Sequence, residues 1–329
     1  MKIAFFGVKS WERELIEREI INLDAVGVGI FSTEVQDSLD LASEYEVISV
    51  RVRADMCKEV LSKLPKLKMV AVRSTGIDCV DEVECKKRGI VIKNVPSYGE
   101  NSVAEYAMAL LLTVAKRIIP AHQSVEEGEF SPEGLTGIDI FGKTLGVVGV
   151  GAIGRNVIKI ARGMGMKVLA VDLVQDDKLA KKIGFKYVEL EECLRSVDFL
   201  TLHVPFTQET RYLINKKNIK LMQPGSVLIN TARGAVVESE AIVWALNNKI
   251  LWGAGLDVTE EEERLESMST IMSKRDISKG LLSFHLLRDR DDVVFTPHNA
   301  FNTKEAIERI IKTTIQNINM FCKSESRKS

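Results

Sequence analysis

The chain has 329 residues, 45% of them apolar and 28% charged, and its 45 basic and 46 acidic side chains leave a net charge of -1. That length suits two domains with full cores. The even charge provides no basic field for nucleic acid or an anionic membrane surface.

Taken in chain order, residues 3–8 form an apolar run too short for the core of a secretion signal, and a cytoplasmic location is expected. Apolar runs at residues 2–8, 26–31, 46–52, 68–74 and 90–95 then alternate with helical patterns at 11–20, 55–64 and 81–88. Strands that alternate with helices imply crossovers and a parallel sheet covered on both faces. Gly27-Val28-Gly29 lies inside such a run and lacks a third glycine and a following helix, so it is read as strand rather than as a ligand loop. Pro96 and Gly99 break the pattern, and a helix is expected from about Asn101. Its apolar part, residues 103–115, carries Glu105 and falls short of a bilayer span, so it is expected to be buried in the protein.

A second alternating set begins at Lys143. Strands are expected near residues 144–148, 168–172, 199–204, 226–230, 253–258 and 293–296, with a charged interruption over 259–292 and a last helix over 304–322. The five cysteines form no CxxC pair and the four histidines are dispersed, so neither a disulfide framework nor a metal site is expected.

The most informative stretch is the strand Thr144-Leu145-Gly146-Val147-Val148 running into Gly149-Val150-Gly151-Ala152-Ile153-Gly154, followed by a helical pattern and a strand ending on Asp172. Strand, glycines, helix and acid fall in the order a dinucleotide-binding unit requires, with Asp172 eighteen residues beyond Gly154. Gly149 allows the tight turn, Gly151 lets backbone approach a pyrophosphate, and Gly154 permits close helix packing. The first-turn residues Ala152 and Ile153 offer unbonded N–H groups. Asp172 suits ribose hydroxyls and repels a 2′-phosphate, while Leu173 and Val174 supply no cation, so NAD is expected rather than NADP.

Three further strands each lead into a chemically useful residue, namely Arg233, Asp257 and His298. Ligands of an open parallel sheet gather at the carboxyl ends of its strands. An arginine fork binds a carboxylate at two points, and a histidine shuttles protons near neutral pH.

With VGVGAIG, LHVPFTQETRYLI, NTARGAVV, GAGLDV and TPHNAF in this order, and STGIDCVD and NVPSYGENSVAEYA upstream, the chain resembles the D-2-hydroxyacid dehydrogenase family over nearly its whole length. MKIAFFGVKSW and the acidic segment ahead of TPHNAF resemble its D-lactate dehydrogenase branch. The resemblance implies two doubly wound parallel-sheet domains. Residues 1–98 and 300–329 would make a flavodoxin-like substrate domain and residues 99–299 a Rossmann-like NAD-binding domain, with crossings near Tyr98 and Ala300.

It also implies hydride transfer between NAD and a small 2-hydroxy or 2-keto acid, with D-lactate and pyruvate foremost, by a homodimer. Arg233 would hold the substrate, His298 would carry the proton, and Glu262 would favour the protonated imidazole. Glu260, Glu261 and Glu263 are neighbours of the same type. Thr75, Gly76 and Tyr98 would meet the substrate; His203, Val204, Pro205, Thr231, Ala232 and Asp257 would line the cofactor site, Asp257 at the nicotinamide carboxamide.

Asn302 stands where the D-lactate branch commonly carries tyrosine, and Asn299 replaces a smaller or hydroxylated residue, which leaves lactate open against other acids. Phosphoglycerate, glyoxylate or phosphite dehydrogenases of the same family are alternatives, as is a non-catalytic NAD-binding corepressor-like protein.

Overall fold

The computed structural model describes residues 1–23, 27–52, 54–260 and 279–327. Its short aliphatic runs become strands because a parallel sheet buries both faces of each strand. They do so in two separate compact units.

The first unit comprises Met1–Tyr98 and Asn302–Ser329. Its strands β1 (Lys2–Phe5), β2 (Gly27–Ile30), β3 (Val47–Val50), β4 (Met69–Val72) and β5 (Val91–Lys93) lie parallel in the order β2-β1-β3-β4-β5, a flavodoxin-like arrangement. Alternate residues sort to opposite faces. Ala4, Ile48, Val50, Val70 and Val72 join a core with Val60, Leu61 and Cys85. Ile3, Phe5, Val47 and Met69, also fully buried, are left to the other face. The C-terminal helix Lys304–Ser326 packs on β4 and on the helix Ser10–Glu19. Asn317 Nδ2 donates to the Asn94 carbonyl at 2.9 Å and Arg309 Nε to the Tyr98 carbonyl at 2.7 Å. The Gly27-Val28-Gly29 run is the edge strand β2, as its pattern suggested. Val26, expected to begin it, lies outside the described residues.

The second unit is Gly99–Phe301. Strands β6 (Thr144–Val148), β7 (Lys167–Val171), β8 (Lys186–Tyr187), β9 (Phe199–Leu202), β10 (Ser226–Asn230), β11 (Leu251–Leu256) and β12 (Val293–Phe295) form a parallel sheet in the order β12-β11-β10-β9-β6-β7-β8. The winding reverses at β6, between β7 and β9, and such a reversal opens a crevice at the carboxyl ends. The helix Glu100–Ala115 buries Ala104, Ala107, Met108, Leu111 and Ala115, as its apolar run predicted. It lies close to β11 because Gly253 and Gly255, two apart and so on one face, present no side chains to Val114 and Leu110.

Several helices were not placed from the sequence, two of them outside the alternation of strands and helices. Ile118–Glu126 starts after Arg117, whose φ of 51° ends the preceding helix. Lys279–Arg288 falls inside the charged interruption. Among the described residues, no helix is long and apolar enough to cross a membrane.

Candidate active site

The loops leaving β6, β7, β9, β10, β11 and β12 share the carboxyl edge of one sheet. Gly149 takes φ 97°, and its N–H bonds the Val171 carbonyl at 2.8 Å. A side chain at Gly154 would stand 2.0 Å from the Gly149 carbonyl oxygen, so only glycine lets this helix start so near the turn. The helix Ala152–Gly163 opens at Gly151 with no side-chain cap. A Cβ built at Gly151 meets nothing within 4 Å among the described residues. The first-turn N–H groups of Ala152 and Ile153, with the positive end of the helix dipole, thus adjoin open space.

Asp172 follows β7. Its Oδ2 accepts from Val150 N at 2.6 Å and its Oδ1 from Val174 N at 2.9 Å, which fixes the carboxylate beside the glycine turn. Each oxygen keeps a lone pair for a ribose hydroxyl. Leu173 and Val174 beside it are 100% and 79% exposed, an apolar flank suited to a base.

His203 and Thr231 supply the clearest test of fit to a dinucleotide. His203 Nε2 lies 3.0 Å from Thr201 Oγ1, and burial pushes the imidazole down to about 3, so the ring is neutral at ordinary pH. Its Nδ1 and the Thr231 Oγ1 are buried without a hydrogen-bond partner among the described residues. Native proteins rarely leave such atoms unpaired. A polar group of a bound dinucleotide would answer them, with the pyrophosphate at the helix N-terminus and a ribose at Asp172. Val204 and Pro205 follow on the same loop.

The chemistry-bearing residues stand on neighbouring strands. Asn230 pairs with Leu256 across β10 and β11, and Leu256 pairs with Phe295 across β11 and β12. Arg233 and His298 therefore each lie three residues past a strand end, on either side of Asp257. Both are half-buried. Buried Asn230 shapes the arginine turn: its Oδ1 accepts from Ala232 N at 3.0 Å and its Nδ2 donates to the Arg233 carbonyl at 3.0 Å. The Arg233 guanidinium bonds the Ala232 carbonyl at 2.9 Å. Nothing in the spacing singles out Asn230; a polar residue ending an otherwise apolar strand was the available signal.

Asp257 carries a larger duty than the cofactor contact expected of it. Its Oδ1 accepts from Thr296 Oγ1 at 2.5 Å and from Asn299 N at 2.8 Å, and its Oδ2 from Ala300 N at 2.8 Å. The carboxylate thus ties down both sides of the His298 turn. One lone pair of Oδ2 is left for a further donor. Burial raises the Asp257 pKa above the usual carboxylate value, against the lowering effect of these bonds and of His298. His298 itself holds φ 52°, a conformation that costs a β-carbon residue energy and is kept only where surrounding bonds impose it. Its N–H donates to the Asp257 carbonyl at 2.8 Å. Glu262, with Glu261 and Glu263, lies outside the described residues. Among the described residues, no group of three or more His, Cys, Asp or Glu side chains could hold a metal ion.

In the first unit, Thr75 and Gly76 follow β4. Thr75 Oγ1 donates to the Val95 carbonyl at 3.1 Å, Asn94 Nδ2 to the Thr75 carbonyl at 2.6 Å, and Ser74 Oγ to the Gly76 carbonyl at 2.7 Å. Below them Arg73, 4% exposed, donates to the Phe6 carbonyl at 2.6 Å and Ser49 Oγ at 3.0 Å and stands 3.6 Å from Glu12. Burial lowers Arg73 to about 10, so it stays charged at neutral pH. Half-buried Tyr98 closes the segment.

A doubly wound sheet with a glycine turn, an uncapped helix N-terminus and a terminal acid at its switch point defines a dinucleotide-binding oxidoreductase unit. The model for the NAD binding domain of D-isomer specific 2-hydroxyacid dehydrogenases matches residues 108–300, more than half of the chain. D-lactate dehydrogenase of Escherichia coli is 33% identical over 332 residues, covering 99% of this chain and 98% of that protein. Glyoxylate reductase of Thermococcus litoralis is 37% identical over 294 residues, covering 87% and 83%. The crystal structure of D-lactate dehydrogenase from Aquifex aeolicus, complexed with NAD and lactic acid, superposes with a TM-score of 0.89 at 35% identity, over 99% of this chain and 96% of that one. The chain belongs to the D-isomer specific 2-hydroxyacid dehydrogenases, an NAD-dependent enzyme family.

Proposed function

We propose that this enzyme interconverts a small D-2-hydroxy acid and its 2-keto acid, with pyruvate and D-lactate as the leading pair. The placement of Arg233 and His298 past the ends of β10 and β12, either side of Asp257 at the end of β11, carries the proposal. The D-lactate dehydrogenase relatives support lactate. Glyoxylate is the second candidate, because glyoxylate reductases are as similar to this chain. NAD, when bound, supplies or accepts the hydride. The cofactor-binding residues are Gly149, Gly151, Ala152, Ile153, Gly154, Asp172, His203, Val204, Pro205, Thr231, Ala232 and Asp257.

Arg233 binds the carboxylate and keto oxygen through its planar fork, which orients the carbonyl and stabilises the growing negative charge on its oxygen. His298 gives its proton to that oxygen during reduction and takes the hydroxyl proton during oxidation. Glu262 favours the protonated imidazole. Thr75, Gly76 and Tyr98 bind substrate, which makes residues 1–98 and 300–329 the substrate domain and residues 99–299 the NAD domain. The enzyme works as a homodimer. All five cysteines are free thiols, which supports a cytoplasmic, reducing setting.

The test is NADH oxidation against pyruvate, glyoxylate, longer 2-keto acids and hydroxypyruvate, with chiral analysis of the product. His298→Ala should lower kcat by at least about 10²-fold, the typical worth of a general acid, with NADH affinity unchanged. Loss of NADH binding in that variant, or an L product, would count against the assignment. Phosphite oxidation without keto-acid turnover would do so as well.

A further inference from the structure

Four consecutive glutamates, Glu260 to Glu263, follow β11, and such a run is ordinarily a solvated acidic face. Glu260 departs from that pattern: it is half-buried, and its Oε2 accepts from the Ser239 N–H at 3.1 Å. Ser239 is the first residue of the helix Ser239–Asn247, where the N–H groups lack helical partners and the dipole is positive. The residue that should cap this helix, Glu238, makes no side-chain cap bond and instead accepts from Lys216 N at 2.8 Å. Glu260 therefore caps the helix from another loop, twenty-one residues further along the chain.

The Glu260 carboxylate, foremost, and burial hold the Tyr212 phenol above its usual range. Tyr212 lies on the loop that leaves β9, with φ 50°, and its N–H donates to the Ala235 carbonyl at 2.8 Å. Nearby, Ile214 forms a parallel bridge with Val237. The backbone of Thr259 and Glu260 in turn lies directly against Gly234, the residue after Arg233. A Cβ at Gly234 would fall 2.0 Å from the Thr259 carbonyl carbon and 2.5 Å from Glu260 N.

We propose that Glu260 is a positioning residue that ties the loop leaving β11 to the segment that follows β10 and thereby holds Arg233 for the keto acid. The β9 loop is joined to the segment after β10 by the Tyr212 N–H and the Ile214–Val237 bridge, and that segment is joined to the β11 loop through Ser239 and Glu260. Packed on Gly234, the Thr259–Glu260 backbone leaves the arginine turn one resting place, and the bond from the Ser239 N–H to Glu260 keeps that backbone there. Of the four glutamates, Glu260 is spent on this anchoring and does not serve as the proton partner of His298. The proposal rests on the role given above to Arg233.

Three variants test it, read by keto-acid kinetics, by oxamate binding to the enzyme–NADH complex as a non-reacting mimic, and by the pH profile of kcat/KM. Glu260→Ala should raise KM for the keto acid and Kd for oxamate by about tenfold, the order expected for one charge-assisted hydrogen bond. NADH affinity and the pH midpoints should stay unchanged. Glu260→Gln keeps an acceptor oxygen and should restore both constants to near the parent values.

Ser239→Pro removes the donor instead. Proline is tolerated in the first helical turn, and Glu238 with φ -67° and ψ 112° suits the residue before it. It should reproduce the rise in KM and add nothing to Glu260→Ala. If Glu260→Ala fails to fold, Ser239→Pro decides alone. Parent-like constants in Ser239→Pro or Glu260→Ala, with the unmutated enzyme active, overturn the anchoring role. A moved pH midpoint in Glu260→Gln overturns it too, by making Glu260 the proton partner. An unmutated enzyme that neither reduces any 2-keto acid nor binds oxamate overturns the Arg233 assignment and this proposal together.

Discussion

Arg233 and His298, proposed to carry the reaction, are placed by neighbours whose part in that placement is not legible from the motifs that contain them. Asn230 holds the turn before Arg233, and Asp257 spends three accepted hydrogen bonds on the turn around His298. The sequence marked Asp257 as useful but offered no means to know that its oxygens face the loop from β12, because that pairing joins residues some forty positions apart. His203 illustrates the same limit in its protonation. Its folded pKa of about 3 lies below the ordinary 6.5, so between those values the unfolded chain binds one more proton than the native one. Stability must then rise with pH across that window and fall as the solution is acidified. Relative to His203→Gln, the unmutated enzyme should lose up to about 1.4 kcal/mol more per pH unit below pH 6 in urea unfolding. Equal pH dependence of the two proteins would mean that His203 is not buried neutral.

At the scale of elements, strands were more legible than helices. Apolar runs that a parallel sheet buries on both faces stand out from their surroundings, so all five strands of the first unit were placed, with ends trimmed by a few residues. The helix Ile118–Glu126 was missed because its start depends on a left-handed Arg117, a backbone state without a sequence signature. The GAGLDV segment shows how a motif can serve packing as well as chemistry. Gly255 leaves room for Leu110 and Ile229, and a Cβ there would lie 3.1 Å from Leu110 Cβ and 2.8 Å from Ile229 Cδ1. Both belong to the core that the helix Glu100–Ala115 seals. Gly255→Val should therefore cost about 3 kcal/mol by overpacking, measured by chemical denaturation. A loss under 0.5 kcal/mol would show that the helix shifts freely on the sheet.

For the whole molecule, the homodimer proposal comes from the family resemblance, and apolar side chains that the second unit leaves exposed offer it a surface. Ile118, Ile119 and Val125 on the helix Ile118–Glu126, and Phe130 beyond it, are all exposed, with Phe130 at 93%. Where such exposed side chains form one patch, they mark an association surface. Ile119→Asp combined with Phe130→Ser should sediment as a monomer at micromolar concentration, where the parent sediments as a dimer. A monomeric parent, or a dimeric variant, would reject that surface.

The sequence by itself determined the fold class and the cofactor, and it singled out an arginine and a histidine as candidates for the reaction. Each of these rests on local order: a strand, a glycine turn, a helix and an acid in register, or a polar residue just past a strand. Tertiary structure alone decided which side chains hold those residues in place. Asn230, the double-sided grip of Asp257, the buried Arg73 and the capping of Ser239 by Glu260 all join segments that only the parallel sheet brings to one edge. A carboxylate's role depends on which donors surround it, and those donors arrive from distant parts of the chain.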